Sequence, residues 1–155
     1  MTDQFQIVHA QPTHVDDVAP LFDAYRCWYG EKSDPDGARY FISQRLTAHE
    51  SEIFYACCGD QAVAFAQVYP VFSSVSMERV WILNDLYVDE SVRRQGVGTL
   101  LLETASEFAQ ALGAIRLELE TKHDNKIAQA AYEALGWKQN ADFVRYSLDV
   151  RVSAD

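Results

Sequence analysis

Leu86-Tyr87-Val88-Asp89-Glu90-Ser91-Val92-Arg93-Arg94-Gln95-Gly96-Val97-Gly98-Thr99-Leu100-Leu101 is the stretch on which the reading of the whole chain turns. An apolar run over Val80–Val88 predicts a strand. Beyond the turn, Val97, Leu100, Leu101, Ala105, Phe108, Ala109 and Leu112 recur at helical spacing up to a stop at Gly113. A strand therefore hands over to a long helix through a turn holding two arginines and two glycines. The first turn of a helix leaves backbone N–H groups unpaired and carries the positive end of the helix dipole. Glycine lets a bulky anion come close to that backbone. The turn reads as a pyrophosphate cradle with Arg93 and Arg94 as cationic side walls. It is not a P-loop, which needs Gly-Lys followed by Ser or Thr. A dinucleotide fingerprint needs a third glycine where Leu101 stands. A plain tight turn would use the same two glycines without any ligand.

Working outward, Gln4–Ala10 alternates Phe5 and Ile7 and predicts an opening strand. Pro12-Thr13 introduces a helix with Thr13 as cap and Asp16-Asp17 in the first turn, carrying Val15, Val18, Leu21, Phe22 and Tyr25 and ending at Gly30. A second amphipathic helix carries Phe41, Ile42 and Leu46. Strands Ile53–Cys58 and Ala62–Tyr69 flank Gly59-Asp60-Gln61, a hairpin-type turn. A loop with Ser73, Ser74 and Ser76 precedes the strand before the cradle. After the long helix, Ile115–Thr121 alternates as a strand, Asn125–Leu135 forms a helix ending at Gly136, and Phe143–Val150 is a closing strand. With no linker and no repeat, residues 1–155 read as one α+β domain.

The 155 residues suffice for one hydrophobic core. Hydrophobic residues make up 48% and charged residues 23%, a globular composition. A net charge of −10 argues against a nucleic-acid partner, which would need a basic footprint, and suits a cationic substrate as well as plain solubility. No run of about 18 apolar residues is present, so no membrane span is expected. The N-terminus lacks a secretory pattern, and the expected compartment is the cytoplasm. Cys27, Cys57 and Cys58 make no disulfide framework and are expected to be buried structural thiols. His9, His14, His49 and His123 lack metal-ligand spacing, so no metal is expected.

A second segment, Asn125-Lys126-Ile127-Ala128-Gln129-Ala130-Ala131-Tyr132-Glu133-Ala134-Leu135-Gly136-Trp137, places Asn125, Ala128 and Tyr132 at i, i+3 and i+7, on one helix face. A small residue between an amide and a phenol leaves room for an extended ligand; the alternative for Tyr132 is ordinary core packing. Arg93-x-x-Gly96-x-Gly98 together with this Asn…Ala…Tyr…Gly-aromatic segment resembles the GNAT acetyltransferase superfamily, over nearly the whole chain.

The resemblance implies a mixed central sheet of about six to seven strands with helices on both faces and a splayed strand pair holding acetyl-CoA. By the same token the cofactor is held by Leu86, Tyr87, Val88, Arg93, Arg94, Gln95, Gly96, Val97, Gly98, Thr99, Asn125, Ala128 and Tyr132. The pantetheine arm pairs with the free edge of the strand before the cradle, and backbone N–H near Tyr87 or Val88 stabilises the oxyanion. Tyr132 reaches the thioester sulfur; a phenol with a reference pKa of about 10 is a suitable proton donor to a departing thiolate. Transfer to an amine is direct, without a covalent enzyme intermediate. The family often forms dimers through its C-terminal half, so a homodimer is expected.

Tyr25-Arg26-Cys27-Trp28-Tyr29, and Tyr69-Pro70-Val71-Phe72-Ser73-Ser74 ahead of Leu83-Asn84-Asp85-Leu86-Tyr87-Val88, resemble the branch with the Hpa2-like and diamine acetyltransferases, which act on polyamines, other small amines or basic protein tails. That branch carries Glu-Asp where this chain has Asn84-Asp85. Asparagine is no base, so the role passes to Asp85, a water chain, or another acid such as Glu31; alternatively both residues simply bond nearby backbone. Trp28, Tyr29, Tyr69, Phe72 and Trp81 could line an amine pocket or belong to the core. The acceptor-site candidates are thus Trp28, Tyr29, Glu31, Tyr69, Trp81, Asn84 and Asp85. An acyl-CoA-binding module that has lost its base is the rival expectation.

Overall fold

The computed structural model describes residues 4–152. They form two compact units that part between Glu120 and Thr121.

In the first unit the chain order is β1 (Phe5–His9), α1 (Val15–Trp28), α2 (Pro35–Thr47), β2 (Glu52–Cys58), β3 (Gln61–Ser73), β4 (Glu78–Val88), α3 (Val97–Ala111) and β5 (Arg116–Leu119). The sheet runs β1-β2-β3-β4-β5. Its first three pairings are antiparallel and β4–β5 is parallel. A parallel pair needs a long crossover, which α3 supplies. α1 and α2 cover one face, where Val18, Phe22, Ile42, Ile53, Tyr55 and Phe65 form a buried cluster. α3 covers the other face, with Phe108 against Phe54 and Trp81. Burying each large apolar side chain contributes about 1.5–3 kcal/mol.

Local chemistry accounts for the element ends. Asp34 caps α2 by accepting a hydrogen bond from the Gly37 N–H at 3.0 Å, with Pro35 at the first helical position. The β2–β3 hairpin closes through Gly59-Asp60, with Gly59 at φ +62°. β3 runs past Pro70 to Ser73, four residues beyond the end at Tyr69 that the sequence predicts. The β2 ladder ends at Val68, so Pro70 sits where that side of β3 has no strand to bond. Thr13 does not cap α1. It lies in a 3-10 turn, Pro12–His14, across which the Gln11 N–H donates to His14 Nδ1 at 2.9 Å.

In the second unit, α4 spans Lys126–Ala134. The expected strand over Phe143–Val150 is absent. A strand must satisfy its backbone on a ladder, and no partner pairs with this segment among the described residues. Phe143, Val144, Tyr146, Leu148 and Val150 are exposed there. The sheet consequently has five strands, fewer than the six to seven expected, while the mixed α+β architecture stands.

Candidate active site

The β4–β5 ladder runs from Val80–Arg116 to Leu83–Leu119 and ends there. Beyond it, residues 85–88 of β4 pair only with β3 among the described residues, and their other backbone edge has no ladder. At this point β4 also bulges. Gln67 faces Asp85 and Val68 faces Leu83, so Asn84 is the extra residue. A bulge shifts the two-residue alternation by one. Trp81 therefore points at Phe108 on the α3 face, whereas Asp85 and Tyr87 lie on the α1 face with Tyr25.

After β4, Asp89 accepts hydrogen bonds from the Ser91 N–H at 2.9 Å and hydroxyl at 2.6 Å, which fixes the turn and holds its carboxyl below the usual carboxylate range. Arg93 Nε donates to the Val88 carbonyl at 3.0 Å. Arg94 (φ +65°) and Gly96 (φ +85°) bring the backbone round in the left-handed region, and α3 begins at Val97. Arg93, Arg94, Gln95, Gly96 and Thr99 are exposed, while Val97 is buried as the anchor of the helix start. Gln95 accepts a hydrogen bond from Gln4. A Cβ built on Gly98 would meet only Val88 Cγ2, at 3.6 Å, an ordinary contact. The fold does not require glycine at 98, and the bare position keeps the helix N-terminus open. Backbone donors, two cationic side chains and this vacancy fit a pyrophosphate.

On the α1 face a polar chain crosses three segments. The Ser51 hydroxyl donates to Gln67 Oε1 at 2.7 Å, Gln67 Nε2 donates to Asp85 Oδ2, and Asn84 Nδ2 donates to Asp85 Oδ1 at 2.9 Å. Ser51, Gln67 and Asp85 are all buried, Gln67 completely. Burial pushes the Asp85 carboxyl up from its ordinary value, against the donors Gln67, Asn84 and Tyr25, which hold it down. Tyr25 comes from α1 and its hydroxyl lies 3.4 Å from the Asn84 carbonyl. Burial, then the Asp85 charge, push its phenol well above the usual range. Burial and Asp85 also push Tyr69 up to about 12. Asn84, itself exposed, is a donor that orients Asp85 and is not a base.

Next to this cluster, Ala24, Cys27, Trp28, Tyr87, Asp89, Glu90, Ser91 and Arg93 line a groove of about 870 Å3. Trp28 and Tyr29 are exposed at the end of α1, and Glu31 pairs with Arg26 at 3.9 Å. Trp81 is 3% exposed on the opposite face and joins no part of this groove. Phe72 is exposed under the Arg79 guanidinium, in a second cavity with Met77 and Leu112. Cys27, expected to be buried, is exposed, because the last turn of α1 runs past the core. Gln67 and Ser51 were not singled out from sequence, and Tyr25 was named only on the apolar face of α1 and in the Tyr25–Tyr29 segment, not as a site residue. The available signal was a glutamine inside the apolar run Ala64-Phe65-Ala66-Gln67-Val68.

Within the second unit, Asn125 caps α4 by accepting from the Ala128 N–H at 3.2 Å. Tyr132 lies two turns along the helix, its ring 6.1 Å from that of Trp137. Among the described residues no helix is long and apolar enough to cross a membrane.

Comparison with known proteins gives a consistent result. The acetyltransferase (GNAT) family description matches residues 18–137. An uncharacterized N-acetyltransferase, YhfO, of Bacillus subtilis (strain 168) is 44% identical over 133 residues, covering 86% of this chain and 89% of YhfO. A crystal structure of a probable acetyltransferase superposes with a TM-score of 0.89 at 42% identity, over 96% of this chain and 99% of the other. The aminoglycoside N-acetyltransferase AAC(6')-Iy, in complex with CoA, shares the fold at 22% identity and a TM-score of 0.76, over 93% and 94% of the two chains.

Proposed function

The chain belongs to the acetyltransferase (GNAT) family and is an N-acetyltransferase, and from that premise we propose that it transfers acetyl from acetyl-CoA directly to a primary amine on a polyamine-like small molecule or a basic peptide. One observation carries this reading. Past Leu83, β4 offers a backbone edge without a ladder, and the same few residues put a buried carboxylate on the α1 face just ahead of the cradle.

Bound acetyl-CoA supplies an acetyl thioester that an amine can attack. Arg93, Arg94 and the first turn of α3 hold the pyrophosphate, and the edge of Leu86–Val88 aligns the arm. Asp85 takes the proton of the acceptor amine; its raised pKa suits it to that task better than an ordinary carboxylate. Trp28 and Tyr87 present aromatic faces to a cation, and Asp89 and Glu90 add negative charge to the same groove. Tyr132, on the strength of its motif position, holds the proton destined for the departing sulfur.

The test is calorimetry with acetyl-CoA followed by thiol release over a panel of primary amines. Micromolar binding and transfer to polyamines or lysine peptides is the expected result. Binding without transfer to any amine would point instead to a non-catalytic acyl-CoA-binding module.

A further inference from the structure

Asp85 poses a problem of access. It is 4% exposed, and an amide donor already occupies each of its oxygens, Gln67 on Oδ2 and Asn84 on Oδ1. An acceptor amine must lose its proton to a group that solvent and substrate can reach, and Asp85 is shut off from both. Tyr25 spans the gap. Its hydroxyl donates to the Asn84 carbonyl, 3.4 Å away on the residue next to Asp85, and it helps to stabilise the charged form of the Asp85 carboxyl. Its ring stands edge-on to that of Tyr29 at 5.0 Å, and Tyr29 is 56% exposed. Tyr87, which lines the groove, lies 6.4 Å from the Tyr25 ring. Tyr25 is itself only half-buried, so its phenol joins the shut-off carboxylate to the accessible side of the sheet, beside Tyr87.

We propose that Tyr25 is a catalytic residue of the acetyl transfer, relaying the proton of the acceptor amine to Asp85. A phenol carries one proton to donate and lone pairs that accept, so it can do both in one step. An N–H bond of the acceptor breaks as an O–H bond forms on Tyr25. The former Tyr25 O–H bond breaks as a new one forms on Asp85, and the nitrogen keeps the electron pair with which it forms the amide. Tyr25 begins and ends neutral. Burial and the adjacent carboxylate keep it from ionising at any working pH, which suits a relay and not a base. Tyr29 just past the end of α1, Tyr69 on β3 and Tyr87 on β4 surround the pair, with Arg45 and Glu50 acting on Tyr69. The relay rests on Asp85 being the base, as proposed above.

The test compares wild type, Tyr25→Phe, Asp85→Asn and the double variant, using whichever primary amine of the panel turns over fastest. Tyr25→Phe keeps the ring and its packing on Phe22 and Phe65, so only the hydroxyl is removed. Each single change is expected to lower kcat/KM by about 10²-fold or more, and the double variant to fall no further than the lower single. Acetyl-CoA affinity by calorimetry and the melting temperature should stay near wild type for Tyr25→Phe. In the unliganded protein, infrared titration of the Asp85 carboxyl should move to higher pH in Tyr25→Phe, since one donor to the carboxylate is gone. Full turnover by Tyr25→Phe alongside a dead Asp85→Asn overturns the relay and leaves the base in place. Full losses that add in the double variant also overturn it. Wild-type turnover by Asp85→Asn, or no acetylated amine in the panel, removes the underlying reading and the relay with it.

Discussion

Gln67 and Asp85 form the last registered pair of the β3–β4 ladder before Asn84 bulges out, and the glutamine amide donates to the carboxylate across it. Ser51 holds the far side of the same amide. The carboxylate is thereby tied to the middle of the sheet, not left to a mobile loop, and its ionisation depends on a group no solvent can replace.

Replacing Gln67 by Leu should raise the Asp85 pKa, because a donor to the charged form is lost while burial stays. The acid limb of kcat/KM should move to higher pH. The Ser51 hydroxyl loses its acceptor too, so stability should drop by about 1–3 kcal/mol. A pH–rate profile and a urea melt check both; an unmoved acid limb would break the link between Asp85 and turnover.

Asp85 also gives stability a signed pH dependence. Its folded pKa lies above the ordinary 3.8, so between the two values the folded protein binds more protons than the unfolded chain. Stability from this group therefore falls as pH rises through that window. The melting temperature of Asp85→Asn, taken relative to wild type at each pH, should rise from pH 4 to pH 7. A flat or falling difference would contradict the raised pKa.

Gly98→Ala separates cofactor binding from folding. The added methyl has room beside Val88, and alanine favours a helix over glycine by roughly 0.5–1 kcal/mol. The melting temperature should hold or rise, while acetyl-CoA affinity in calorimetry falls by about tenfold or more as the methyl fills the approach to the helix N-terminus.

Tyr132→Phe should cut turnover by about 10²-fold while changing acetyl-CoA affinity little, as expected for a proton donor used only as the sulfur departs. Equal turnover across the amine panel would remove Tyr132 from that role.

Gly37→Ala tests the fold away from the site. Its Cβ would stand 2.3 Å from Asp34 Oδ2, so the cap of α2 must break or move, at about 1 kcal/mol. Denaturant midpoints should fall while kinetic constants hold.

The strand–turn–helix of the proposed cradle was legible because its parts are contiguous between Glu78 and Ala111: a strand, residues that tolerate or require positive φ, and an amphipathic helix. The acid cluster was not, because Tyr25, Ser51, Gln67 and Asp85 come from four separate stretches and meet only in the folded sheet. Trp81 shows how one residue can mislead. Strict alternation back from Asp85 puts Leu83 and Trp81 on the same face as the acid. The bulge at Asn84 cancels that step and leaves Trp81 against Phe108. The strand over Phe143–Val150 had the right alternation, but a sequence pattern cannot supply a ladder partner.

The two halves of the site differ in what inheritance can do to them. Past Leu83, the edge of β4 is made of peptide groups, which every residue except proline carries alike. Ordinary substitution leaves that edge intact, so, with the donor held as proposed, lineages can drift widely there and still keep one acyl donor. The groove and the Tyr25–Asp85 cluster are made of side chains, each removable by a single codon change. A protein built this way can change its acceptor while its donor stays fixed, so paralogues should diverge in the amine long before they diverge in the thioester.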